Sequence, residues 1–328
     1  MTNAGPTLTS HFALNPIPNR TLSLDLTLTL LLALGVAISA TTALAAPPER
    51  LLANHLPNAY RIHDKVISGG QPDGDAAFRE LAALGVKTII SVDGATPQVE
   101  LAKKYGIRYV HLPHGYDGIP ASRANELAKA VHVLPGPIYI HCHQGKHRSP
   151  TAAAVACVAA GLIDPGSTES ILTTTGTSPA YRGLYQSARN VRPLSAAELN
   201  STKPDFRETA VIPRLAQAMS AIEHKQDVLK LMAASDWKAL PDYPDLDPAH
   251  EALLFREDFE ELLRTPDVQA RQPEFRRLLA ESHVAAQELE SALKSNTSSA
   301  NASAAWQRII TNCTTCHQQF RDIPLTEK

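Results

Sequence analysis

A chain of 328 residues, 44% of them hydrophobic, can bury more than one core, so two domains are the starting expectation. Its 31 Lys and Arg against 33 Asp and Glu give a formal charge of -2, and no basic cluster of the kind a phosphate backbone demands is present, which excludes nucleic acid as a partner. Aromatic residues make up only 5%, which favours helices over an all-β sandwich.

Residues 1–46 read as an export leader. Arg20 precedes an apolar run over 26–46 that ends in Ala43-Leu44-Ala45 and then Ala46-Pro47-Pro48, the small-x-small spacing of a secretory cleavage site. The run also approaches the ~20 residues that cross a bilayer. An uncleaved leader would therefore anchor the chain in a membrane, and a cleaved one would release it, in a bacterium, to the periplasm.

Over 47–198, short β-rich runs alternate with helical periodicity, the pattern of an α/β domain with a central sheet flanked by helices. Strands are expected at 86–92, 107–112 and 138–140, and helices at 73–84, 122–134 and 149–160. Pro, Ser, Asn, Thr and Lys cluster over 193–204 and place a domain boundary at 198/199. Beyond it, helical periodicity at 209–234, 248–263, 273–293 and 300–320 predicts an all-α four-helix bundle over 199–328. Its first helix carries Ile212, Leu215, Met219, Ile222 and Leu229 on one stripe.

Between the third strand and the third helix stands Ile140-His141-Cys142-His143-Gln144-Gly145-Lys146-His147-Arg148-Ser149-Pro150. A strand delivers a cysteine, five residues turn, and an arginine opens a helix. Backbone amides of such a loop and the helix N-terminus make a seat for a tetrahedral oxyanion. His143, Gln144, Gly145, Lys146 and His147 would line it, and Arg148 would grip two oxygens in a bidentate fork. The same field favours Cys142 as a thiolate, the nucleophilic form. Cys157, further along that helix, reads as core.

At these residues the sequence resembles the protein tyrosine phosphatase superfamily, in particular its compact dual-specificity members, whose signature is His-Cys-x5-Arg-Ser/Thr. The likeness runs over about 56–184 and includes Ile67-Ser68-Gly69-Gly70-Gln71-Pro72. It implies that Cys142 attacks phosphorus, Arg148 steadies the equatorial oxygens and Ser149 assists departure of the thiolate, with no cofactor. It also implies an acid on a separate loop. Asp117 in His114-Gly115-Tyr116-Asp117-Gly118 stands where that loop belongs, with Asp93 in Val92-Asp93-Gly94 as the alternative. The substrate would be a phosphorylated protein or a small phosphomonoester. An arsenate reductase or a sulfurtransferase could also use a cysteine-led anion loop, but Gly145 and Ser149 suit the phosphatase pattern better.

Near the end comes Cys313-Thr314-Thr315-Cys316-His317, two thiols on one helical turn beside an imidazole. The spacing suits covalent haem c, with thioethers at Cys313 and Cys316 and His317 as axial iron ligand. A half zinc site and a thiol redox pair are the alternatives. A helical domain with this motif in its last helix and Arg321 four residues after His317 resembles the class II cytochromes c, the cytochrome c-prime group, over about 206–322. That resemblance implies a redox partner or a diatomic gas, and attachment of haem outside the cytoplasm. Met219 is the candidate second axial ligand; Met232 lies on another face of the same helix, and His250 is an outside candidate.

The sequence thus leads to an exported cysteine-dependent phosphatase joined to a c-type haem module. The competing reading is a haem electron-transfer or sensor protein whose first domain only binds a phosphorylated or anionic ligand.

Overall fold

Six short strands form one mixed sheet in the order β1-β2-β3-β6-β4-β5. They are β1 (Glu49–Arg50), β2 (Tyr60–His63), β3 (Val66–Gly70), β4 (Thr88–Ser91), β5 (Arg108–His111) and β6 (Ile138–Cys142). The first three pair antiparallel, while β3, β6, β4 and β5 run parallel. The chain is seen here as a computed structural model that describes residues 47–241, 243–295 and 299–328; the expected leader at 1–46 lies outside the described residues.

All residues of β3, β4 and β6 are buried, as parallel strands covered on both faces require. Register brings Gly70 opposite Cys142 and both Gly69 and Ser91 opposite His141, so the strand ends meet at one edge of the sheet. The hairpin β2–β3 was not expected from the sequence. Four residues, Tyr-Arg-Ile-His, are too few to establish a period.

Helices α1 (Gly74–Ala83) and α2 (Val99–Lys104) cover one face of the sheet, packing Phe78, Leu81 and Ala102 on Ile89 and Tyr139. On the other face lie α3 (Ala121–Val133), α4 (Arg148–Ala159), α5 (Thr168–Thr174) and α6 (Arg182–Asn190). Every residue of α4 is buried, and five of the twelve are alanine, which lets α3 and the sheet approach it closely.

The stretch over 193–204 folds rather than spanning as a linker. Ser195 and Glu198 form a capping box that starts α7 (Ala196–Ser201), and Leu199 packs on Ala128 and Ala159 of the α/β layer. Further on, His111 donates its backbone amide to Arg207 O at 3.0 Å, and Ala210 donates to His111 Nδ1 at 3.1 Å. The boundary expected at 198/199 falls inside α7, and the α/β layer holds the chain to Ala210.

Beyond it the chain is helical: α8 (Arg214–Ala234), α9 (Pro248–Arg264), the single turn α10 (Pro266–Gln269), α11 (Pro273–Lys294) and α12 (Ser299–Cys316). They share one apolar core that includes Leu229, Met232, Phe255, Leu289, Trp306 and Ile309. Among the described residues, no helix is long and apolar enough to cross a membrane.

Candidate active site

The residues from Cys142 to Arg148 bend from β6 into α4, and the loop's carbonyls are tied outward. Gln71 N donates to His143 O at 2.9 Å, Asn58 Nδ2 to Gly145 O at 2.9 Å, and Thr177 Oγ1 to Lys146 O at 2.8 Å. In a planar trans peptide the following N–H points opposite to the carbonyl. The amides of Gln144, Lys146 and His147 are thereby turned inward, and among the described residues no amide from His143 to Arg148 donates to a protein acceptor. Gly145 makes the bend: its φ is +74°, and a Cβ there would lie 2.4 Å from Gly70 N.

Cys142 is 3% exposed, its Sγ 3.4 Å from Ser149 Oγ, which itself donates to Gly69 O at 3.0 Å. Arg148 is 6% exposed and gives Nη2 to Asp93 Oδ2 at 2.9 Å, while its buried Nε has no partner among the described residues. Burial would raise the pKa of Asp93, but Arg148 beside it and the Ala95 amide overcome this and hold it at about 2. Such a carboxylate carries no proton at neutral pH. Asp93, the alternative acid of the sequence reading, therefore sits as the counter-ion of Arg148.

Tyr116 lays its ring 4.4 Å from the Arg148 guanidinium carbon and stacks at 4.7 Å on Tyr181. Asp117, next to it, turns its carboxylate to Lys328 Nζ at 2.6 Å and its carbonyl to Leu325 N at 2.9 Å. His147 receives the Ser178 amide on Nδ1, and burial together with Lys146 and Arg148 pushes its pKa down to about 4, leaving it neutral. His141 is likewise neutral, lowered to about 4 by burial, and meets Tyr109 OH at 2.6 Å. The Cys157 thiol lies in the core, and burial pushes its pKa up to about 12.

Known proteins with a comparable structure can now be set beside this site. No family model and no curated protein matches the chain. Solved structures do. The chain is similar to TpbA of P. aeruginosa, at 18% identity and a TM-score of 0.39, over 44% of this chain and 91% of that one. It is also similar to a putative DUF442 phosphatase of Shewanella putrefaciens, at 16% identity and a TM-score of 0.34, over 40% and 91%. A third is the catalytic core of the PP-IP phosphatase SIW14 of S. cerevisiae, at 17% and 0.33, over 48% and 91%.

The helical region reaches the loop through α8. His143 Nε2 lies 2.6 Å from Asp227 Oδ2, and its ring stands 4.5 Å from that of His224. Gln144 and Lys146 line a cleft of about 660 Å³ beside the loop, with His224, Asp227 and Lys230 on its far wall. Burial lowers the pKa of His143, but Asp227, aided by Glu223 and Asp93, raises it above the ordinary value, and Asp227 is lowered in turn. A histidine raised on folding stabilises fully below its unfolded value of about 6.5 and loses that contribution as pH rises through the folded value. Since Asp227 is 40% exposed, solvent screening leaves the pair on the order of 1 kcal/mol. The expected result is a fall in stability above neutral pH that Asp227→Asn removes, followed by denaturant titration at several pH values; an identical pH dependence in that variant would refute it.

At the other end of the helical region, Cys313 and Cys316 close α12 and His317 opens a π-helical turn, His317–Arg321. Both thiols are unbridged and contact the apolar core, where burial raises Cys313 to about 11. Burial, with Arg321 nearby, lowers His317 to about 3, so the imidazole is neutral and can donate a lone pair to a metal. Two thiols and a neutral imidazole on consecutive turns are a donor set that fits haem c. Among the described residues, no three His, Cys, Asp or Glu side chains gather into a group that could hold a metal ion by themselves. Met219 packs at the edge of the same core, Met232 is buried within it, and His250 is exposed on the first turn of α9.

Sequence reasoning did not find Asn58, Tyr116, Tyr181, Asp227 or Arg321 as parts of this site. Asn58 could have been noticed as a residue tolerant of a left-handed bend, which it adopts at φ +50°, but nothing local links it to Gly145.

Proposed function

We propose that the α/β domain is a cysteine-dependent phosphomonoester hydrolase. The observation that carries this reading is the buried, unpartnered Arg148 Nε beside a loop whose amides have no protein acceptor, all around one cysteine. A phosphoryl group would take those donors as its equatorial oxygens settle in the loop. The Cys142 thiolate attacks phosphorus, the bond to the ester oxygen breaks, and Asp117 supplies the proton that oxygen needs. In the second half, Asp117 takes a proton from water as the water oxygen bonds to phosphorus. The S–P bond then breaks, Ser149 gives a hydrogen bond to the departing thiolate, and inorganic phosphate leaves. Substrates would be phosphorylated proteins or small phosphomonoesters.

The reading extends to a haem c that Cys313 and Cys316 would hold covalently, with His317 and Met219 as candidate iron ligands, in an exported protein. When bound, that group would supply one-electron transfer or an iron position for a diatomic gas. Residues 1–46 would direct export, with membrane attachment only where they stay uncleaved.

One observation favours the competing reading, in which the domain binds an anion without turning it over. The carboxylate of Asp117 is paired with Lys328. The deciding assay measures hydrolysis of an aryl phosphate by the full chain and by Asp117→Asn. A drop of about 10²–10⁴ in the variant supports catalysis with Asp117 as the acid; equal rates for the two remove Asp117 from the mechanism, and no turnover by either leaves anion binding.

A further inference from the structure

Tyr116 is held between two guanidiniums. Arg148 stands 4.4 Å from its ring centroid and Arg321, one turn past His317, stands 4.1 Å from it. Both guanidinium carbons thus lie within contact range of the one ring. Each is neutralised at its own end, Arg148 by Asp93 at 2.9 Å and Arg321 by Asp322 at 2.6 Å. Arg321 also reaches the Tyr181 ring at 5.8 Å, which closes the aromatic side of the site.

We propose that Arg321 is a positioning residue of the Cys142 site, acting through Tyr116 to hold Arg148. This rests on the reading of that site as an oxyanion seat. Asp93 fixes one edge of the Arg148 guanidinium and Tyr116 supports its face, so the Nε edge is left to meet an anion. Tyr116 needs support of its own, because it lies on the loop between β5 and α3 with Gly115 before it and Gly118, at φ +130°, shortly after. A ring on such a loop swings unless a neighbour holds it. Arg321 lies 4.1 Å from its centroid, and the same segment grips the next residue through Leu325 N to Asp117 O at 2.9 Å. The turn that carries His317 therefore sets the geometry of a seat in the other domain.

The test uses the full chain and inorganic phosphate as probe. Calorimetry gives its Kd, aryl phosphate hydrolysis gives KM and kcat, and circular dichroism checks the fold. Arg321→Ala is expected to weaken phosphate binding by about tenfold, the scale of a desolvated cation–π contact, and to raise KM more than it lowers kcat. Tyr116→Phe keeps the ring and should weaken phosphate binding less than Tyr116→Leu, which should match Arg321→Ala. The double variant Arg321→Ala, Tyr116→Leu should be no weaker than either single one, because both remove one contact chain. A folded Arg321→Ala that binds phosphate as wild type does, or additive losses in the double variant, would overturn the proposal. Should Arg321→Ala fail to fold, the Tyr116 pair decides: equal losses in Phe and Leu variants would mean that the ring does not support Arg148. Absence of phosphate binding by the wild-type chain would instead sink the oxyanion-seat reading itself.

Discussion

Cys142→Ser is expected to abolish hydrolysis of an aryl phosphate while leaving phosphate bound. The loss should be about 10⁴-fold or more, because a serine hydroxyl at neutral pH is a weak nucleophile unless a base takes its proton. No such base stands ready, since His141 is turned to Tyr109 and Asp93 is spent on Arg148. The seat, by contrast, is built from Arg148 and backbone amides and does not need sulfur. Those donors stay in place in the variant, so phosphate should bind at least about as tightly as in the parent. Stopped turnover with an unchanged or smaller Kd separates loss of the nucleophile from collapse of the loop. Turnover within tenfold of the parent would show that the sulfur is not the attacking atom.

Much of the site was legible because its parts are adjacent in the chain. A strand, five loop residues and a helix start are a local instruction, and Cys142, Gly145, Arg148 and Ser149 occupy the positions that instruction needs. Strands β4, β5 and β6 were legible as short β-rich runs, while β3, interior to the sheet but ending in Gly69 and Gly70, was not. What escaped were partners chosen by tertiary packing. Asn58 meets Gly145 across 87 positions, and Asp227 meets His143 across 84. Arg321 looked like part of the Cys-x-x-Cys-His turn alone, yet its guanidinium lies on an aromatic ring of the other domain. In the sequence Asp93 reads only as the alternative acid, and the fold shows its carboxylate buried, 2% exposed, against Arg148. Residues 193–204 read as a domain boundary from their Pro, Ser, Asn, Thr and Lys, and within them Ser195 and Glu198 start a helix.

The second large effect concerns Cys313 and Cys316. Expressed with residues 1–46 in a cell that matures c-type cytochromes, the full chain is expected to gain the mass of one haem that acidified acetone does not extract. The double variant Cys313→Ala, Cys316→Ala should carry none. Spacing of three places both thiols on one face at the end of α12, and neither is consumed by a disulfide, so both remain available for thioether formation. A single variant keeps one attachment point and should retain part of the covalent haem. His317→Ala leaves both thiols but removes the neutral imidazole, so any haem it holds should lose the absorbance of an imidazole-ligated iron. Wild-type protein recovered at its apoprotein mass from such cells, whether with zinc bound or with Cys313 and Cys316 oxidised to each other, would refute the assignment. The phosphate experiments would be untouched by that failure, because the contacts of Arg321 with Tyr116 are made by the protein's own side chains.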